Sequence, residues 1–580
     1  MKASGIEPGQ RRLFGVQTTG RTYRNLSAPA FEVTSETNIA IPMRDGIALH
    51  ADLHRPKDDG RHPALVAISP YPRQVQHMGV PVGFIEAGQS DFFVPRGYAH
   101  LIANCRGTGG SGGTYGFMAE PEHHDLYDLI EWTAAQPWCD GEVGMIGVSY
   151  FAIEQIRAAI MAPPHLKAIF PFSATLDWYR EILYHGGIFT GGFARKYLNA
   201  IGMASRPRED FYRNRVFQAL NAIIRLGPLH RKIARPKANP VSMLARALRF
   251  PYARHPWDEL YTEIAVEHPL FDEFWRSRDM TDQIGQIAIP LYLGADWENV
   301  SVHLLTPFLA LDRLKPGTPF RVALAPRGTL QWPWETLHIE ALAWFDHWLK
   351  HRDTGIMEGP PIRYLVEGTE EWRATDTWPP QGVRFIDLPL GADGKLGGNA
   401  SDGARDYLYL PANYERPRNS NPPALPDRLA WESAAAREPI ELIGGCVLHL
   451  VAASTANDTD WIVKLQDVAP DGSARDLTQG WLRASHRALD PTRSKPHFPD
   501  HAHDRIDPLT PGAATSFEIA ILPTAHRFAP GHKLRLVLAS EDGGGFAMQG
   551  LSHTGLGIAA RNRVFARSLL MLPLARGSFG

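Results

Sequence analysis

Cysteine is scarce in this chain. Its 580 residues hold three, Cys105, Cys139 and Cys446, far apart in the sequence. That spacing excludes a disulfide framework and fits no thiolate metal site. Long apolar runs are missing too. No window of about 18 apolar residues occurs, so no membrane span is expected. The N-terminal "MKASGIEPGQRRLFGVQTTGRTYRNLSAP" lacks the apolar centre of a signal peptide. Charge of one sign is also missing: 60 Lys and Arg face 62 Asp and Glu, for a formal net charge of -2. Nucleic acid and anionic membrane are therefore not expected as partners. The adjacent His123 and His124 cannot share a helix face, and no metal or other cofactor is implied. Fixed-period repeats and low-complexity tracts are absent. With 44% apolar and 21% charged residues, the chain reads as soluble, globular and cytoplasmic.

The remaining patterns divide the chain. Residues 1–35 are polar and glycine-containing, and read as a loose arm. From 36 to 162 strand and helix signals alternate, beginning with a hairpin across Asp45-Gly46, which argues a parallel sheet faced by helices. Residues 163–281 are rich in aromatic residues, arginine and helix formers, and read as a helical cap. The strand pattern resumes at "IPLYLGADWENV" and "PFRVALAP", followed by the amphipathic "TLHIEALAWFDHWLKH", so 282–358 rejoin the first segment. Residues 359–580 carry short strand runs between Pro, Gly, Asp and Asn turns, with almost no helical period. They read as an all-β sandwich or jelly roll.

Two serines compete as nucleophile. Ser111 lies in "GGSGG", a literal G-x-S-x-G match, but no helix begins there, and it reads as a flexible loop serine. Ser149 lies in "GEVGMIGVSYFAIEQIRAAI", between an apolar strand and a helix. A nucleophilic serine needs such a tight turn, which exposes Oγ and aims the helix N-terminus at the developing oxyanion. Phe151 occupies the place of the second glycine. The glycines answer a steric demand where helix and strand cross; Gly147 meets one half of it and Ala152 the other. Local pattern alone leaves Ser149 equally readable as a helix N-cap.

"DGEVGMIGVSYFA" resembles the serine elbow of the CocE/NonD family, hydrolases related to cocaine esterase and X-Pro dipeptidyl-peptidase. "MRDGIALHADLHRP", "GYAHLIANCRGTGGSGG", "LYDLIEWTAAQPWCDGEVGM", "ALAWFDHWLK", "DTDWIVKLQDVAPDG" and "PGHKLRLVLAS" match the same family in order, from about Glu36 to the C-terminus. The resemblance implies an α/β-hydrolase fold with a helical cap and a C-terminal all-β jelly-roll domain. It also favours Ser149 as nucleophile.

A serine nucleophile needs a histidine base, and the base needs an acid. An ungapped match of Gly294–Glu298 to the family's acid turn places Glu298 at the acid's position, with Asp296 second; aligning the tryptophans instead would place Asn299 there. The family's histidine motif after the next strand is replaced by "APRGT", which has no histidine. His338, where the loop meets the long helix, is then the expected base, ahead of His303 and His347. The oxyanion donors are expected to be the Tyr150 N–H and, by resemblance, the Tyr71 hydroxyl in "SPYP". Arg106 matches a structural arginine of the family, and Asn104 stands where the family has Asp, which removes a salt bridge. Trp178, Tyr184 and Trp297 are the guesses for an apolar substrate pocket. The expected reaction is hydrolysis of an ester or amide of a small molecule through an acyl-enzyme. A peptidase or amidase of the X-Pro dipeptidyl-peptidase type is the first alternative. A decayed hydrolase that binds carbohydrate or a partner is the second. The oligomeric state is open, a homodimer included.

Overall fold

The computed structural model describes residues 13–76, 84–205, 257–398, 402–410, 425–542 and 551–579, with single positions 215, 216, 219 and 223 between them. β1 (Val33–Pro42) and β2 (Ala48–Pro56) pair antiparallel across Asp45-Gly46, where Gly46 takes a φ of 87° that suits glycine. β3 (His62–Ser69), β4 (Ala99–Asn104), β5 (Cys139–Met145) and β6 (Leu166–Ile169) follow. The short β7 (Tyr184–His185) and β8 (Ile188–Phe189) form a separate ribbon. β9 (Leu291–Asp296), β10 (Phe320–Ala325), β11 (Ile362–Leu365) and β12 (Trp372–Thr375) complete a ten-stranded sheet ordered β1-β2-β4-β3-β5-β6-β9-β10-β11-β12.

The strands from β4 through β11 in that order pair parallel. A parallel sheet must be covered on both faces, so β4 and β9 are wholly buried and mostly apolar. The principal helices are α1 (Glu120–Ala134), α2 (Tyr150–Met161), α3 (Gly191–Ser205) and α4 (His338–Trp348). α4 lies so close to β5 that a Cβ on Gly144 would stand 2.9 Å from the Phe345 ring. The arrangement is that of an α/β-hydrolase, as expected. Ten more strands, from Arg384–Pro389 to Leu569–Arg576, pair antiparallel into an all-β domain with its own core around Trp431 and Trp461.

Three expectations need correction. Residues 13–32 are not loose. The Thr19 N–H and hydroxyl and the Tyr23 hydroxyl all donate to Glu340 of α4, at 3.0, 3.1 and 2.6 Å. Ser27 donates twice to the buried Asp346, and Arg24 forks onto Asp353. The segment expected to be a helical cap contains β6, a sheet strand of four residues, and the β7–β8 ribbon; most of 206–256 lies outside the described residues. The first sheet also runs past residue 358, through β11 and β12. No described helix is long and apolar enough to cross a membrane.

Candidate active site

β5 ends at Met145 and α2 begins at Tyr150, so Ser149 sits in the turn between them. Its φ of 58° and ψ of -122° are strained for any residue with a side chain. The strain is held by its neighbours: the Ser149 N–H donates to the Phe172 carbonyl at 3.3 Å, and its carbonyl accepts from Ala152 and Ile153 at 2.9 and 3.1 Å. Ser149 is half-buried while Val148 and Tyr150 on either side are buried, so the turn presents this one side chain. Gly147 explains how Phe151 is tolerated. A Cβ there would lie 2.5 Å from the Phe151 Cβ, and its φ is 126°. The N–H groups of Tyr150 and Phe151 open the helix before its hydrogen-bond ladder begins, and so are free to meet an anion.

Ser111 is excluded by its bonds, though not as the loose residue expected. It is buried, donates to the Asn104 carbonyl at 2.9 Å and accepts from the His50 N–H at 2.9 Å. Arg106 forks onto Asp125 at 2.7 and 2.6 Å and reaches Asp45 at 3.0 Å, a structural clamp. Asn104 still accepts from Arg73 at 3.1 Å, and the ion pair of Arg73 goes to Asp52.

Tyr71 follows β3 and is held from below, where the Asn104 side chain donates to its carbonyl at 2.7 Å. Its ring meets those of Tyr150 and Phe151 edge-on, each at 5.9 Å, which brings it beside the serine turn. Its hydroxyl meets that of Tyr197 from α3 at 3.1 Å. Burial holds the Tyr71 phenol well above its ordinary pKa, so it stays a neutral donor.

The histidine expectation is not met. His338 is fully buried between Phe92, Phe93 and Trp334. Its Nε2 accepts from the Gln89 N–H at 3.1 Å, and its Nδ1–H donates to the Thr336 carbonyl at 3.0 Å. A neutral ring with both nitrogens spent on backbone has none left to take a proton from Ser149. It pins α4 to the loop before β4. Replacing His338 by Ala should therefore cost about 2–4 kcal/mol of stability, for a cavity and two stranded backbone groups. It should leave kcat/KM of the folded fraction within about tenfold, since a lost base would cost 10²–10⁴-fold. Thermal melts beside ester turnover check this.

His303 is buried, and burial lowers its pKa to about 4. Its Nδ1 faces the Ala174 carbonyl at 3.3 Å. His347 caps the end of α4, with Nδ1 on the Arg352 carbonyl at 3.0 Å. The two carboxylates proposed as the acid part company. Asp296 is buried; Asn299 donates to its Oδ1 twice, at 2.9 and 2.7 Å, and the Leu330 N–H donates to its Oδ2 at 2.8 Å. Burial nevertheless raises its pKa to about 6. It ties the end of β9 to the loop after β10. Glu298 is exposed, and its Oε2 would lie 3.8 Å from a Cβ on Gly328 in that loop.

The pocket guesses also divide. The Trp178 ring lies 5.9 Å from that of Tyr150, near the serine turn, with its indole N–H on the Met118 sulfur. Tyr184 stacks on Tyr179 at 4.6 Å and donates to the Ile264 carbonyl, so it packs the cap. Trp297 donates to the Leu365 carbonyl at 2.8 Å and packs toward Trp378. A small open cleft between cap and β domain is lined by Arg180, His185, Trp481, Asp500 and His503, among others, and does not include Ser149.

Sequence reasoning missed Glu86 and Trp332. Glu86 lies between β3 and β4, in "GFIEAG", and its carbonyl accepts from the Val148 N–H at 3.1 Å, one residue before the serine. Its Oε1 accepts from the half-exposed Trp332 indole at 2.7 Å. The Ser149 hydroxyl lies close enough to the carboxylate to favour its charged form. Burial outweighs both and pushes the pKa up to about 8. The only sequence signal was a single acid inside an apolar run.

The model of the X-Pro dipeptidyl-peptidase S15 family matches residues 45–327, and that of the X-Pro dipeptidyl-peptidase C-terminal non-catalytic domain matches 354–554. The chain belongs to this family. Cocaine esterase of Rhodococcus sp. (strain MB1 Bresler) is 28% identical over 87% of the chain and 90% of its own length. A putative Xaa-Pro dipeptidyl-peptidase of Streptomyces avermitilis is 22% identical over 78% of the chain and 68% of its own length. A crystal structure of a CocE/NonD family hydrolase from Staphylococcus aureus superposes with a TM-score of 0.73 at 23% identity, covering 94% of each chain. The family resemblance read in the sequence holds, and this S15 relative is a serine hydrolase of ester or amide bonds with small-molecule substrates.

Proposed function

We propose that the protein is a carboxylic-ester hydrolase in which Ser149 forms an acyl-enzyme, with the Tyr71 hydroxyl and the Tyr150 N–H receiving the oxyanion. The observation that carries it is the strained Ser149 turn, with the Tyr71 ring set against Tyr150 and Phe151. An ester fits because its leaving oxygen needs less protonation than an amine, and no ring nitrogen of His338 is left to supply it. A fluorophosphonate tests the reading directly, since it reacts with an activated serine. Intact mass should show one adduct per chain, located on Ser149 by peptide mapping. No adduct overturns the reading in favour of a decayed hydrolase that only binds.

One observation favours a second reading, amide or peptide cleavage. A peptidase of the X-Pro dipeptidyl-peptidase kind needs a carboxylate near the pocket to hold the substrate amine, and Glu86 is one beside the nucleophile. Faster turnover of aminoacyl p-nitroanilides than of p-nitrophenyl esters would select it. With both His338 nitrogens bonded to backbone, neither acid candidate has that ring to orient: Glu298 is exposed, and the Asp296 oxygens accept from backbone and Asn299 donors. A cytoplasmic location is proposed on composition alone.

A further inference from the structure

We propose that Glu86 stands in for the missing histidine as the group that takes the proton of Ser149. The inference rests on the serine-hydrolase reading above and deepens it. Three observations carry it. Glu86 is 2% exposed, and its Oε2 is buried without a hydrogen-bond partner among the described residues. Its backbone is locked to the serine turn, with its carbonyl on the Val148 N–H and its own N–H donating to the Gln76 side chain at 2.9 Å. Its carboxylate is held from the other side by Trp332, which extends from the loop after β10 where the family places its histidine. A buried acid with one bonded and one open oxygen, beside a half-buried serine in a strained turn, is arranged to exchange a proton with it.

The atoms balance. The Ser149 Oγ bonds to the substrate carbonyl carbon while its proton passes to the Glu86 carboxylate. The carbonyl electron pair moves onto oxygen, facing Tyr71 and the Tyr150 N–H. Collapse breaks the bond to the leaving oxygen, which takes the proton from Glu86. Water then attacks the acyl carbon and gives its proton to Glu86. The second collapse expels the Ser149 oxygen, which takes that proton back.

The surroundings fix the pH dependence. The Glu86 carboxyl is faced by the Trp332 indole and the Ser149 hydroxyl, and lies near the phenols of Tyr71 and Tyr197, whose pKa values it raises in turn; Gln76 meets only its backbone N–H. No cation is among the groups that set its own pKa, which burial pushes up to about 8. Below that pH the acid is neutral and cannot accept a proton. Activity should therefore rise as pH passes through about 8, later than a histidine of pKa about 6.5 would give. The burial that raises this pKa also withdraws stability as pH rises from the ordinary carboxylate range through 8, so Glu86→Gln should be no less stable than the native protein at high pH.

The test uses the full chain and p-nitrophenyl butyrate. Glu86→Gln should lower kcat/KM about 10²–10⁴-fold and slow fluorophosphonate labelling in parallel, while the melt stays cooperative. Its pH profile should lose the rise near 8, and Glu86→Asp should recover part of the rate. A Glu86→Gln variant within threefold of the native kcat/KM, labelling at the native rate, overturns the proposal and leaves Ser149 as nucleophile. A variant that raises KM only for esters with a free α-amine assigns Glu86 to amine binding and overturns it equally. If Glu86→Gln does not fold, the native profile decides: an apparent pKa near 8 supports the proposal and one of 6–7 overturns it. Failure of the native protein to label at all removes the serine-hydrolase reading and this one with it.

Discussion

Ser149→Ala should abolish turnover of p-nitrophenyl acetate, with a loss of at least about 10⁴-fold in kcat, while the melting temperature moves little. The size follows from what the hydroxyl does. Without it no acyl-enzyme forms, and only the oxyanion donors and binding are left. The small stability effect follows from the geometry. The Ser149 backbone, not its hydroxyl, holds the turn, through its N–H on Phe172 and its carbonyl on Ala152 and Ile153. Alanine keeps all three bonds and the same Cβ at a φ of 58°. Turnover, circular dichroism and a thermal melt on the same preparation check both parts. A variant with native activity would send the chemistry elsewhere, and Ser111 would not inherit it, because it is buried, with its proton on the Asn104 carbonyl and its oxygen accepting from the His50 N–H.

How much of this could be read from sequence depends on how local each signal is. The Ser149 turn was legible because strand, glycine, serine and helix lie within twenty consecutive residues, and the steric demand on Gly147 is made by Phe151, four residues away. Parallel strands were legible as mostly apolar runs, but β6 is four residues long and its run was too short to separate from the cap. The arm at 13–32 read as loose because its own composition is polar. What orders it is a pair of buried acids on α4, Glu340 and Asp346, more than 300 positions away. His338 misled for a related reason. Chain order places it where a base belongs, yet Phe92, Phe93 and Trp334, drawn from two separate segments, close around it. Glu86 could not be paired with Ser149 from the chain, since sixty-odd positions and the whole of β4 and α1 separate them; only the fold of the loop after β3 onto the elbow brings them together.

Tyr71→Phe should lower kcat about 10²–10³-fold with KM nearly unchanged, the signature of a donor that strengthens only as the carbonyl oxygen becomes an oxyanion. The ring will stay in place. It is packed against Phe84 at 4.7 Å and meets Tyr150 and Phe151 edge-on, and none of these contacts uses the hydroxyl. Losing that hydroxyl takes from the half-buried Tyr197 phenol its bond to Tyr71. Tyr197→Phe is therefore the control: it removes the same hydrogen bond from the other side. If Tyr71 acts on the oxyanion, Tyr197→Phe should retain kcat within about tenfold while Tyr71→Phe does not. Equal losses in both would make the pair a structural strut between the loop after β3 and α3. The pH profile separates Tyr71 from Glu86 as well. Burial holds the Tyr71 phenol well above its ordinary value, so it keeps its proton throughout the accessible range, and Tyr71→Phe should lower the whole curve without moving its rise near 8.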